Sequence, residues 1–117
     1  MFGLLDQVVG TALLVGLILA IIEPNNMKWA DGLQPIVIGL VVVAIGICWG
    51  GMHGYAINPA RDFGPRLFTL AAGFKNTGFG TPALWVPIVG PYVGGLLGAA
   101  LYDSLIRPYL PAFTSAK

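Results

Sequence analysis

The chain has 117 residues, 56% of them hydrophobic and only 9% charged, with a formal net charge of +1. Soluble domains carry about 25% charged residues, so an ordinary soluble fold is excluded, and the near-neutral balance leaves no electrostatic case for nucleic acid. A mean hydropathy of +0.81 points to an integral membrane protein.

The first apolar segment is predicted over about residues 4–22. Everything from Gln7 to Ile22 is uncharged, close to the length that crosses a bilayer. It does not read as a signal peptide. Asp6 falls where a basic n-region belongs, and no small-residue cleavage site follows. Asp6 and Gln7 fit either an interface or a contact with another helix. Glu23–Gly32, "EPNNMKWADG", reads as an exposed loop with Trp29 at interface depth. A second segment, about 35–52, starts near Pro35, a good first helical residue. Its β-branched run resembles a strand, but its length without a turn signal favours a spanning helix.

"HGYAINPARDFGPR", His53–Arg66, interrupts these apolar runs with polar residues and helix breakers. Asn58 is a favoured N-cap and Pro59 a favoured first helical residue, so a helix is predicted over about 59–72. Such a helix spans only part of a membrane. Non-helical backbone before it is tolerated at membrane depth only inside protein or along a water-filled cavity. The pattern predicts a loop that dips in and a half-helix that climbs out. "KNTGFGTPALW" follows as a loop, and a third spanning segment covers about 84–106. In it Gly90, Gly94 and Gly98 are spaced by four, which allows close approach of two membrane helices; the plainer reading is Gly used for bends. "RPYLPAFTSAK" reads as a frayed tail. The fold class is therefore an all-α membrane protein: three transmembrane helices and one re-entrant half-helix, in a single domain over 1–117. Lys28, Arg107 and Lys117 place the first loop and the tail on the cytoplasmic side, with the N-terminus outside.

The half-helix start carries roughly half a positive elementary charge, which repels cations where it faces the membrane interior. Extended Gly54, Tyr55 and Ala56 would offer carbonyl acceptors in a row. Asn58 offers amide donors, and Arg61 a fixed fork of donors. Together they form a track for neutral hydrogen-bonding molecules and a barrier to cations. The plain alternative is a cap with a surface arginine. Apolar flanks and the cost of a mid-membrane arginine favour a functional Arg61.

"GYAINPARDFGPR" resembles the second signature loop of the major intrinsic proteins. "FGLLDQVVGTALL" resembles the start of their fourth helix and "WVPIVGPYVGGLLGAALY" their sixth. Asp62 after Arg61 resembles the aquaglyceroporin branch, which conducts glycerol. The resemblance covers essentially the whole chain but only the second half of that family's fold. It implies six helices plus two half-helices built from two inverted repeats, each with an NPA-like triplet. Here one triplet stands, Asn58-Pro59-Ala60. The resemblance further implies a selectivity filter of Gly46, Tyr55 and Arg61. Gly46 would widen the pore where water-selective members place His. Tyr55 would give an apolar wall, with the Gly54, Tyr55 and Ala56 carbonyls opposite.

The expected function is a passive channel for glycerol, small neutral solutes and water, in a bilayer. Its partner is the missing N-terminal half, and a homotetramer is expected of complete subunits. Alternatives are a non-conducting truncated or split-channel fragment, a pore made by two oppositely inserted copies, and a water-selective pore, which Gly46 and Asp62 oppose. His53 reads as a hydrogen-bonded loop histidine before a pH sensor. Asp62 reads as a loop salt bridge or first-turn stabiliser before a substrate contact. Arg66 and Lys75 read as lying toward the outer surface, and the single Cys48 as packing, with no disulfide framework. No nucleophile–base set, paired carboxylates, metal cluster or phosphate loop appears. No catalytic residue, metal or cofactor is expected, and the chain does not read as an enzyme.

Overall fold

In lipid the backbone of an apolar segment can satisfy its hydrogen bonds only within a helix or a closed barrel. The computed structural model, which describes residues 2–26, 29, 30 and 32–110, is helical throughout its regular parts. The elements are α1 (Phe2–Ile22), α2 (Leu33–His53), α3 (Pro59–Ala71) and α4 (Pro82–Leu105), then a 3-10 turn (Arg107–Tyr109). Three helical segments are long and apolar enough to cross a membrane: Phe2–Ile22, Leu33–His53 and Ala83–Tyr109. At 13 residues α3 is about 20 Å long, short of a hydrocarbon core of about 30 Å.

Several boundaries differ from expectation for local reasons. Helix α2 begins at Leu33 rather than near Pro35, because left-handed Gly32 (φ 81°) turns the chain into the helix first. Pro35 still lies in the first turn, where its missing N–H costs nothing. Arg107–Tyr109, expected to be frayed, forms a 3-10 turn. Described residues of the 23–32 loop are tied down rather than simply exposed. Asn26 Nδ2 donates to the Ala20 carbonyl, and both Trp29 Nε1 and Gln34 Nε2 donate to the Ile21 carbonyl. These cap the otherwise unpaired end of α1. The Tyr102 hydroxyl donates to Glu23, pinning the same loop to α4. Lys28 and Lys117, which carried the expected orientation with Arg107, lie outside the described residues, as does the tail over 111–117.

The glycines report how the helices run. A Cβ on Gly90 would lie 2.6 Å from Gln7 Cβ; one on Gly94 would strike the Val8 carbonyl oxygen, and one on Gly98 the Ala12 carbonyl oxygen. Positions rise together on both helices, so α1 and α4 are parallel and nearly in backbone contact. On the other face of α1, Gly3 meets His53 while Gly10 meets Ile45 and Trp49, so α2 is antiparallel to α1. The end of α2 and the start of α4 therefore lie on the same side of the membrane. Segment 54–81, with α3 inside it, must enter and return on that side. It reaches deep: the Ile57 side chain would be 3.5 Å from a Cβ on Gly10, near the middle of α1.

The interior inverts the usual pattern. Asp6, Gln7 and Thr11 are buried, while Ile36, Leu40, Ile47 and Leu96 are exposed. Lipid solvates the aliphatic side chains, and polar groups must find partners inside.

Candidate functional site

The site is built on the turn between α2 and α3. Gly54, Tyr55 and Ile57 all have positive φ (71°, 56° and 40°). Gly54 and Tyr55 are thus left-handed, not the extended run expected for Gly54-Tyr55-Ala56. A β-branched residue at positive φ is a genuine outlier, costing about 1–3 kcal/mol unless its surroundings hold it. They do so on both sides of Ile57. Its N–H donates to Gln7 Oε1 at 2.6 Å, and its carbonyl accepts from the Thr11 hydroxyl at 3.5 Å. Ala56 and Ile57 are buried there. Gln7 and Thr11 lie about fifty residues away in sequence, and only their polarity in an apolar helix marks them beforehand.

Next along, Asn58 caps α3. Its Oδ1 accepts from the N–H groups of Ala60 (3.0 Å) and Arg61 (3.2 Å). This fixes the amide orientation and leaves its two N–H donors for another acceptor. The Arg61 guanidinium stands 5.6 Å from the centroid of the Tyr55 ring. Tyr55, Ala56, Asn58 and Arg61 line one cleft of about 210 Å³, with Leu14 and Val42 as its apolar side. The Tyr55 hydroxyl does not face that space as a free group, because it donates to the Val42 carbonyl at 2.5 Å.

The other predicted residues fall elsewhere. Gly46 is not in the lining of the cleft. A Cβ there would lie 2.9 Å from Tyr55 Cζ, so the missing side chain is the seat of the Tyr55 ring rather than open width. Gly54 ends α2, its N–H donating to the Gly50 carbonyl. Pro59 and Ala60 line a second groove of about 290 Å³ with Phe63, Ile88 and Tyr92. Asp62 is engaged by Arg66 through two contacts, at 2.5 and 3.2 Å, and Arg66 also donates to the Thr77 carbonyl. Arg66, expected toward the outer surface, is partly buried and ties the half-helix to its return loop. A larger apolar groove, about 560 Å³, runs along the α1–α4 pair. Its side chains are aliphatic apart from Tyr102, so it offers little to a hydrophilic solute.

Gly46→Val is expected to expel the Tyr55 ring, since two added methyls join a Cβ already too close to an aromatic carbon. Overpacking of this kind costs about 1–3 kcal/mol. The Tyr55 ring NMR signal in a 13C-Tyr-labelled chain whose other Tyr are Phe, together with thermal unfolding in detergent, reads both effects. An unchanged signal and midpoint would show that the ring does not sit on Gly46.

Residues 2–102 match the family model for major intrinsic proteins. The chain belongs to the major intrinsic protein family. It is 43% identical to human aquaporin-10 over 111 residues, covering 93% of this chain and 37% of that protein. It is equally 43% identical to the glycerol uptake facilitator protein of Escherichia coli strain K12 over 109 residues, 90% of this chain and 39% of that one. Among solved structures, the aquaglyceroporin from Plasmodium falciparum superposes with a TM-score of 0.82 at 34% identity, over 91% of this chain and 45% of that chain. The chain thus spans less than half the length of these relatives. Membership makes it a multi-pass integral membrane protein of a channel family, not an enzyme.

Proposed function

We propose that the cleft at Tyr55, Asn58 and Arg61 is one wall of a transmembrane passage for glycerol and other small neutral solutes, with water. One observation carries the reading. One cleft at membrane depth presents an aromatic ring beside donors that have no partner among the described residues, the Asn58 amide and the Arg61 guanidinium. A polyol has a hydrocarbon backbone and hydroxyls, so it needs both kinds of contact at once. The fixed positive guanidinium and the α3 N-terminus oppose cations in the same place. In this reading Tyr55 and Arg61 form the selectivity filter, and Gly46 acts through the Tyr55 ring. The relatives named aquaporin, aquaglyceroporin and glycerol uptake facilitator support the same solute class.

A second reading concerns the 117 residues by themselves. Asn58 and Arg61 are exposed and no residue of α3 is buried, so the cleft has one wall. Conduction then requires a complementary wall from an N-terminal half, with tetramers formed by complete subunits. The test is glycerol-driven swelling of proteoliposomes, measured by light scattering. Flux above empty vesicles from residues 1–117 alone would discard the one-wall reading. Flux only after co-expression of a family first half would support it. No glycerol flux in either preparation, with protein inserted and folded, would refute the channel reading.

A further inference from the structure

Gln7 does something at Ile57 that its own chemistry does not determine. A carboxamide has an acceptor end and a donor end of nearly equal size, so packing alone does not choose between them. The Ile57 N–H needs the acceptor end. With the amide reversed, Nε2 would face Ile57 N, donor against donor, in a spot where Gln7 is fully buried and no water can intervene. The turn would lose its tether one residue before Asn58.

We infer that Asp6 is the positioning residue that sets the Gln7 amide, and through it the turn that presents Asn58 and Arg61. Asp6 Oδ2 accepts from Gln7 Nε2 at 3.2 Å, while Gln7 Oε1 accepts from Ile57 N at 2.6 Å. A carboxyl oxygen beside Nε2 accepts whether or not Oδ1 carries a proton, so only one amide orientation satisfies both neighbours. Asp6 is itself 2% exposed, and its Oδ1 has no partner among the described residues. A carboxyl group placed where half of its hydrogen-bonding capacity goes unused is costly to bury. Fixing the Gln7 amide is the use the structure gives it. Asp6 is not in the lining of the cleft, and the hydrogen bond to Ile57 is made by Gln7. Its effect passes along the relay Asp6–Gln7–Ile57, then to Asn58 as the next residue.

The consequence for permeation rests on the proposed channel function, but the relay can be tested without it. The decisive comparison uses the fact that Glu presents an acceptor at both ends and needs no orienting partner. Amide hydrogen exchange at Ile57 would be followed by NMR in the 15N-labelled chain in lipid nanodiscs, with α4 amides as the folding control. Asp6→Leu should speed exchange at Ile57 by roughly tenfold, the size of one net hydrogen bond, and leave α4 unchanged. Asp6→Asn adds a second carboxamide with a donor end of its own, so its Ile57 exchange should fall between wild type and Asp6→Leu. Asp6→Leu combined with Gln7→Glu should restore protection at Ile57.

Unchanged Ile57 exchange in Asp6→Leu would overturn the assignment, and so would failure of the double variant to restore it. If Asp6→Leu unfolds α4 as well, the double variant decides alone: recovered fold with a protected Ile57 supports the relay, and anything less refutes it. Glycerol flux with a family first half co-expressed gives a separate readout. Wild-type flux absent with the exchange pattern intact would fail the channel reading and leave the Asp6 relay standing. Flux present with exchange indifferent to Asp6 would do the reverse.

Discussion

Gly94→Leu is expected to abolish the folded state. A Cβ at this position would strike the Val8 carbonyl oxygen and lie 3.0 Å from Thr11 Cβ and 3.1 Å from the Val8 carbonyl carbon. The first and last of these are backbone atoms, so no rotamer change relieves the clash and α4 must move off α1. Overpacked cores ordinarily lose about 1–3 kcal/mol, occasionally more, when neighbours can yield. Here a rigid helix must shift, and the α1–α4 seam is the most extensive contact in the structure. Thr11 belongs to that seam and also holds the Ile57 carbonyl, so the site should fail with the fold. Gly39→Leu is the matched control, because nothing lies within 4 Å of its Cβ position. Thermal unfolding in detergent, followed by circular dichroism, should show a normal midpoint for Gly39→Leu and no cooperative transition for Gly94→Leu. Equal midpoints would sink the seam as described.

The second large effect is functional. In a conducting preparation, Arg61→Val should admit cations that the native passage rejects. A unit charge about 6 Å from a permeating cation, at an effective dielectric of about 20, opposes it by roughly 3 kcal/mol. That is on the order of a hundredfold in cation permeability. The α3 N-terminus contributes only about half a charge, so the guanidinium is the larger barrier and its removal should dominate. Arg61 is exposed and its ring contact with Tyr55 is 5.6 Å, so the substitution should leave stability nearly unchanged. Valinomycin-clamped vesicles with a pH-sensitive dye would read the leak, with glycerol swelling measured in parallel. A leak equal to wild type would remove Arg61 from the proposed filter.

These two residues illustrate different degrees of legibility. Arg61 announces itself, because an arginine beside an N-cap and a helix-starting proline, flanked by membrane-length apolar runs, has few inexpensive explanations. Gly94 announces only that some helix comes close. Its partner, α1, lies more than eighty residues away in sequence and is chosen by the packing. Gly46 shows how a residue singled out in the sequence can carry the wrong local picture. It reads as added pore width, yet the Tyr55 ring fills the space it leaves. The Gly54-Tyr55-Ala56 run likewise reads as extended, while Gly54 and Tyr55 are left-handed. A tyrosine at positive φ carries no local sequence signature, because distant contacts enforce it.

By itself the sequence determined what depends on neighbours along the chain. Apolar length set the three spans, and the Asn58-Pro59 cap started the half-helix. These follow from helix geometry and from the cost of exposing backbone or charge to hydrocarbon. Tertiary structure alone decided that Gly90, Gly94 and Gly98 of α4 pack against Gln7, Val8 and Ala12 of α1 with almost no space between the backbones. It also decided that Gln7 and Thr11 hold Ile57, and that Asp6 sits against Gln7 with one oxygen unpartnered. Lipid gives buried polar groups no solvent to fall back on, so their partners are whatever residues the fold brings near. No spacing along the chain specifies which residue that will be.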